Sequence, residues 1–261
     1  MRIGLKASTA ALLLVGVCAT AHATMIIEHV GTTYPATESW NYVYGGGSAV
    51  EPGDGSVPPA LEPAWRTAGG VCMWGYHGIP TSVVDEAYAL GWTLEARVRL
   101  REPLGLVPNS AVFFTWTSGL GHGDERIYGL SLWGGDDGHL WLGRSWVEVW
   151  GDWPNGGYDT GKPWDDLHDY EFTYDPAVSD PAERVSFYMD GDFVSYAAGD
   201  SLVELGWYYD GRVDWGAGDS GGTGVADWSL VRLSMAPGLP AFALIGVGPL
   251  AAGLARRLRR R

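Results

Sequence analysis

The chain of 261 residues carries 17 Lys and Arg against 31 Asp and Glu, a formal charge of −14. Two of the basic residues lie in the first 23 positions and five in the last six, so ten remain against all 31 acids and residues 24–235 carry −21. That charge argues against nucleic acid and anionic membrane surfaces as partners, and a single cysteine beyond the first 23 residues, Cys72, leaves no intramolecular disulfide and no cysteine-based zinc site there.

Taken in chain order, Arg2 and Lys6 precede an apolar run, Ala10 to Val17, and the small-residue site Ala21-His22-Ala23. This is the pattern of a signal helix over 1–23, removed to leave Thr24 as the first mature residue. Residues 24–61 read as an N-terminal strand and a loop rich in glycine and proline (Gly45 to Gly47, Pro52, Pro58, Pro59). Ser82 to Ala89 reads as a short helix. Trp92 to Leu100 is the clearest strand: Trp92, Leu94, Ala96, Val98 and Leu100 share one face, and Thr93, Glu95, Arg97 and Arg99 share the wet one. Strands follow at Ala111 to Trp116, Ile127 to Trp133, His139 to Leu142, Tyr170 to Tyr174, Val185 to Met189, Phe193 to Tyr196 and Trp228 to Leu233. Gly134 to Gly138 joins one pair and Asp190-Gly191-Asp192 another, the latter a two-residue hairpin signal. Residues 144–166 are looser and rich in tryptophan.

Short strands with antiparallel turns define an all-β protein, an antiparallel β-sandwich over 62–235. Four segments occur in a telling order: Gly91 to Arg99, His168 to Asp175, Val185 to Gly191 and Asp227 to Leu233. Together they resemble the concanavalin A-like lectin/glucanase superfamily, and within it the laminin-G-like jelly rolls. The resemblance implies two curved sheets and leaves the activity open, since lectins, glycosidases and adhesion modules share the architecture.

Catalytic patterns are missing. The glucanase branch of that superfamily carries Glu-x-Asp-x-x-Glu, and here Glu148 and Asp152, the nearest acids, read as solvated loop residues. Ser118 to Gly121 lacks a nucleophile elbow, and His29, His77, His122, His139 and His168 show no metal-ligand spacing. The expectation is therefore a non-enzyme. Asp136 and Asp137, before Gly138, offer hard oxygen ligands on a turn, so Ca²⁺ is the candidate cofactor; an ordinary Asp-Gly turn is the alternative. Trp133, Trp141, Trp146, Trp150, Trp153 and Trp164 fall within 32 residues. Trp133 and Trp141 lie on strands and are expected in the core. Trp146, Trp150 and Trp153 either stack on an extracellular glycan or fill the core.

The end of the chain, 236–261, runs Pro237-Gly238-Leu239-Pro240, then Ala241 to Ala255 without a charge, then Arg256, Arg257, Arg259, Arg260 and Arg261 around Leu258. An apolar stretch of about 15–18 residues is on the order of 23–27 Å of helix, the short end of a membrane span. The arginines place its end in the cytoplasm. This tail resembles that of PEP-CTERM proteins, with Pro237-Gly238-Leu239-Pro240 where the signature has Pro-Glu-Pro. The resemblance implies an exosortase-type processing enzyme as partner; a plain single-span anchor in the inner membrane is the other reading. The sequence thus describes an exported protein, at least transiently anchored, then in the cell envelope or outside it. Its domain is carbohydrate-interacting or structural; a glycoside hydrolase-like enzyme and a ligand-free matrix protein are the alternatives.

Overall fold

The computed structural model describes residues 23–44, 47–55, 59–67, 72–101, 112–119, 121, 123, 125–135, 137–144, 158–197, 199–201, 210–217 and 224–236. Residues 1–22 of the expected leader, the tail residues Pro237, Pro240, Arg256, Arg257, Arg259, Arg260 and Arg261, the tryptophans Trp146, Trp150 and Trp153, and Asp136 all lie outside the described residues. Among the described residues, no helix is long and apolar enough to cross a membrane.

The strands are β1 (Thr24–Val30), β2 (Asn41–Tyr44), β3 (Gly47–Val50), β4 (Ala64–Thr67), β5 (Met73–Ile79), β6 (Trp92–Leu100), β7 (Val112–Thr117), β8 (Arg126–Gly134), β9 (His139–Arg144), β10 (Tyr158–Pro163), β11 (His168–Tyr174), β12 (Val185–Met189), β13 (Asp192–Tyr196), β14 (Asp200–Ser201), β15 (Gly211–Ala217) and β16 (Ala226–Met235). They form two antiparallel sheets of eight. Sheet A runs β13-β12-β11-β6-β16-β4-β3, and sheet B runs β10-β9-β8-β7-β15-β5-β2. On one edge β16 pairs with β6 throughout; on the other it pairs first with β4 and then with β1. β14 joins the start of β8.

The core lies between the sheets. Trp92, Leu94, Ala96, Val98 and Leu100 of β6 are all buried, as the alternation predicts, and face Val112, Phe114 and Trp116 of β7 and Tyr128, Leu130 and Leu132 of β8 within one cluster. Aromatic rings fill much of it. Trp215 lies 5.2 Å from Trp228, 5.8 Å from Trp40 and 4.8 Å from His29, while Trp92 stacks on Tyr174 at 5.8 Å. Such pairs each contribute about 0.5–1.5 kcal/mol beyond their burial. Cys72 is buried and in no disulfide, the behaviour of a small hydrophobe.

The expected helix is α1 (Thr81–Leu90), which presents Val84 and Ala87 to the core. Gly91 ends it: at φ 104° only glycine is relaxed, and a Cβ there would sit 2.9 Å from the Tyr174 carbonyl. The hairpin at Asp190-Gly191 also stands. Both residues have positive φ, 54° and 82°, which is what a tight two-residue turn requires.

Three expectations are corrected. Residues 45–60 are not wholly loop, because β3 runs along β4 within them. Arg99 is not on a wet surface: it is 2% exposed, donates to the Pro59 carbonyl and meets Asp227 at 2.8 Å. Asp54 and Pro59, after β3, reach over that corner of sheet A, so a formally outward side chain is buried. Trp133 and Trp141 are not in the inter-sheet core. They alternate with Leu132, Leu140 and Leu142, which are, and so belong to the outer face of sheet B. Trp133 is buried there and Trp141 is partly exposed.

Candidate functional site

The outer face of sheet B is unusual in being polar and buried together. On β15, Val213 and Trp215 point into the core, so Arg212 and Asp214 point out. Register then fixes their neighbours. Asp214 lies between Gly75 of β5 and Thr115 of β7; Arg212 lies between His77 of β5 and Thr117 of β7. Directly opposed residues of an antiparallel pair share a face, so His77, Arg212, Asp214, Thr115 and Thr117 form one array. Ser131 and Phe113 extend it by a further row, and Trp133 and Trp141 continue the same face.

Within the array, Asp214 holds two partners. Its Oδ1 lies 2.8 Å from His77 Nε2 and its Oδ2 lies 2.8 Å from Arg212 Nε. The Asp214 side chain is 2% exposed and that of His77 is 39% exposed, so the imidazole is the solvent-facing end of a buried carboxylate. Gly75 makes this packing feasible: a Cβ at that position would come within 2.4 Å of both Asp214 Oδ1 and His77 Nε2. The hydroxyls of Thr115 and Thr117 are buried with no hydrogen-bond partner among the described residues. Leaving such a group unpaired costs about 1–3 kcal/mol.

A second cluster lies at the far edge of the sheet. Asp137, His139 and Asp159 offer ligand atoms within 4.8 Å of one another. His139 Nδ1 is 3.1 Å from Asp159 Oδ1 and 3.8 Å from Asp137 Oδ2. Asp137 Oδ1 accepts from the His139 amide at 3.0 Å and from Trp141 Nε1 at 3.4 Å. Those bonds, the amide's foremost, hold the Asp137 carboxyl below the ordinary aspartate value. Each of the three residues offers one ligand atom, and Asp136, the other acid of the expected Ca²⁺ turn, lies outside the described residues. Asp137 is thus in a polar cluster with partners that its own turn did not announce.

His168 opens β11, between β12 and β6, and is buried with both ring nitrogens in contact with an acceptor. Its Nδ1 lies 2.9 Å from Asp190 Oδ2 and its Nε2 lies 2.9 Å from the Pro163 carbonyl. Asp190 also takes Lys162 Nζ at 2.5 Å and the Asp169 amide at 2.9 Å. Burial alone would raise the Asp190 carboxyl, but these hydrogen bonds outweigh it and hold the group below its usual range.

No protein-family profile and no curated protein sequence matches the chain. Solved structures do resemble it. The carbohydrate esterase vb_24B_21 of the Shiga toxin-encoding bacteriophage phi24B is 12% identical, over 82% of this chain and 100% of that one, with a TM-score of 0.58. An endo-1,3-beta-glucanase from Streptomyces sioyaensis is 14% identical, over 82% and 97%, at 0.46. The alginate lyase Aly36B is 10% identical, over 82% and 95%, at 0.41. At 12% identity the likeness to the esterase is one of fold, that of an antiparallel β-sandwich.

Proposed function

We propose that this is an exported cell-envelope or extracellular protein whose jelly roll interacts with carbohydrate through the outer face of sheet B, and that its C-terminal tail sorts or anchors it at the inner membrane. The observation that carries the carbohydrate reading is the array around Asp214. Buried hydroxyls at Thr115 and Thr117 call for hydrogen-bonding partners, the rings of Trp133 and Trp141 lie on the same face, and His77 leaves one end open to solvent. A sugar supplies hydroxyls for the first and apolar ring faces for the second. The fold it shares with a phage carbohydrate esterase supports the same reading.

The test is binding of the full chain to a panel of neutral and acidic polysaccharides, alongside Thr115→Val and Thr117→Val. The near-isosteric changes remove the hydroxyls alone. Each should weaken retention about tenfold, the value of one or two hydrogen bonds. Unaltered retention in both variants would place the glycan elsewhere. For the tail, the mass of the mature protein from cells decides. Loss of the arginine cluster supports processing by an exosortase-type enzyme, and an intact Arg261 supports a plain anchor.

A further inference from the structure

We propose that His77 is a general base and that the protein removes acyl groups from O-acylated glycans. The inference rests on the reading that a glycan occupies the outer face of sheet B, and it adds a reaction to it.

A carboxylate only accepts, so the 2.8 Å contact with Asp214 Oδ1 places the ring proton of His77 on Nε2. Nδ1 then carries the lone pair, and it has no partner among the described residues. Asp214 fixes the tautomer and the ring plane from beneath, and Arg212 fixes Asp214 from its other oxygen. Gly75 leaves the space that the ring and the carboxylate share. A buried orienting acid behind a half-exposed imidazole is the geometry of a general base, whose proton transfer is worth about 10²–10⁴-fold in rate.

The surroundings select the bond that is cleaved. Glycosidic hydrolysis uses two carboxyl groups about 5–9.5 Å apart. Of the described carboxylate side chains on this face, Asp214 has both oxygens engaged. Asp159 belongs to β10, four strands away from β15, which is roughly 19 Å along a sheet at ~4.8 Å per strand. Elimination from an acidic sugar needs a cation to neutralise its carboxylate, and Arg212 is engaged with Asp214. One base among hydroxyl donors suits the hydrolysis of a carboxylic ester instead.

In that reaction a water molecule gives a proton to His77 Nδ1 as its oxygen bonds to the acyl carbon. The tetrahedral intermediate then breaks the bond to the sugar oxygen. That oxygen takes the proton back from Nδ1. The products are a carboxylic acid and a free sugar hydroxyl, and His77 returns to its starting state. Thr115 and Thr117 hold the sugar; they are not reactants.

The experiment measures acetate released from a panel of O-acetylated polysaccharides by the full chain, with polysaccharide retention and melting temperature recorded for the same preparations. The expected result is release by the wild type, reduced about 100-fold or more per bound polysaccharide in His77→Gln, whose melting temperature stays at the wild-type value. The glutamine keeps an amide donor for Asp214 and loses the base. Retention without release by the wild type, or release undiminished in His77→Gln, overturns the esterase and leaves the binding proposal standing. Neither retention nor release overturns both.

Discussion

Asp227 shows how little room this fold leaves for an uncompensated charge. Arg66 Nε lies 2.7 Å from it, Arg99 2.8 Å and Arg101 3.2 Å, with Asp54 3.2 Å from Arg66. Among the described residues, two carboxylates thus meet three guanidinium groups, of which Arg99 and Arg101 are almost fully buried. Asp227→Ala removes the carboxylate common to all three. Breaking a buried pair from one side costs about 3–5 kcal/mol, so urea denaturation should show a loss of that size; a change below about 1 kcal/mol would mean that water reaches the corner. Gly75 makes the second prediction at this scale. Gly75→Ala puts a methyl group 2.4 Å from both members of the His77–Asp214 pair. The ring must swing away, so polysaccharide retention should fall while the domain still melts cooperatively, at a cost of about 1–3 kcal/mol. None of this is visible in local sequence. His77 and Asp214 are 137 positions apart, and no motif spacing relates them; only the adjacency of β5 and β15 does.

Among the elements, legibility followed the contrast between faces. β6 and the β12–β13 hairpin could be read from sequence because inward apolar and outward polar residues alternate, and because Asp190-Gly191 specifies its turn. β8 could be placed but not oriented. Its outward residues include Ile127 and Trp133 and its inward ones Tyr128, Leu130 and Leu132, so period two carries no sign and Trp133 was expected on the wrong side. β5 and β15 were missed, because Gly75, Gly78, Gly211 and Gly216 interrupt the pattern that would mark a strand. The β12–β13 turn also carries a pH prediction. The Asp190 carboxyl lies below its unfolded value of 3.8 in the folded state. Its contribution to stability is therefore fully present above that value and is lost as pH falls through the lower folded value. The melting temperature should decline as pH drops below about 4, and Asp190→Asn should flatten part of the decline. An identical slope in the variant would mean that other acids govern it.

For the whole molecule, charge and topology matter more than any single contact. Residues 24–235 carry −21, so self-repulsion works against the folded domain and salt should relieve it. Raising sodium chloride from about 20 mM to about 500 mM, through a Debye length that shrinks well below 10 Å, should raise the melting temperature. A fall would show that the paired arginines of sheet A outweigh the unpaired acids. Both sheets also depend on partners distant in sequence, which accounts for the parts of the array that single segments did not announce.

Thr24 and Met235 face each other across β1 and β16. The first strand of the domain therefore closes only against its last. A chain emerging from a membrane channel with its N-terminus first cannot seat β1 until β16 has followed it out. Until then the half of β16's edge that β1 will cover does not yet exist, and the strand at the front of the chain waits for its mate. On the proposed export, completion of transport and closure of the sandwich would become one event, and Thr24 and Met235 finish side by side.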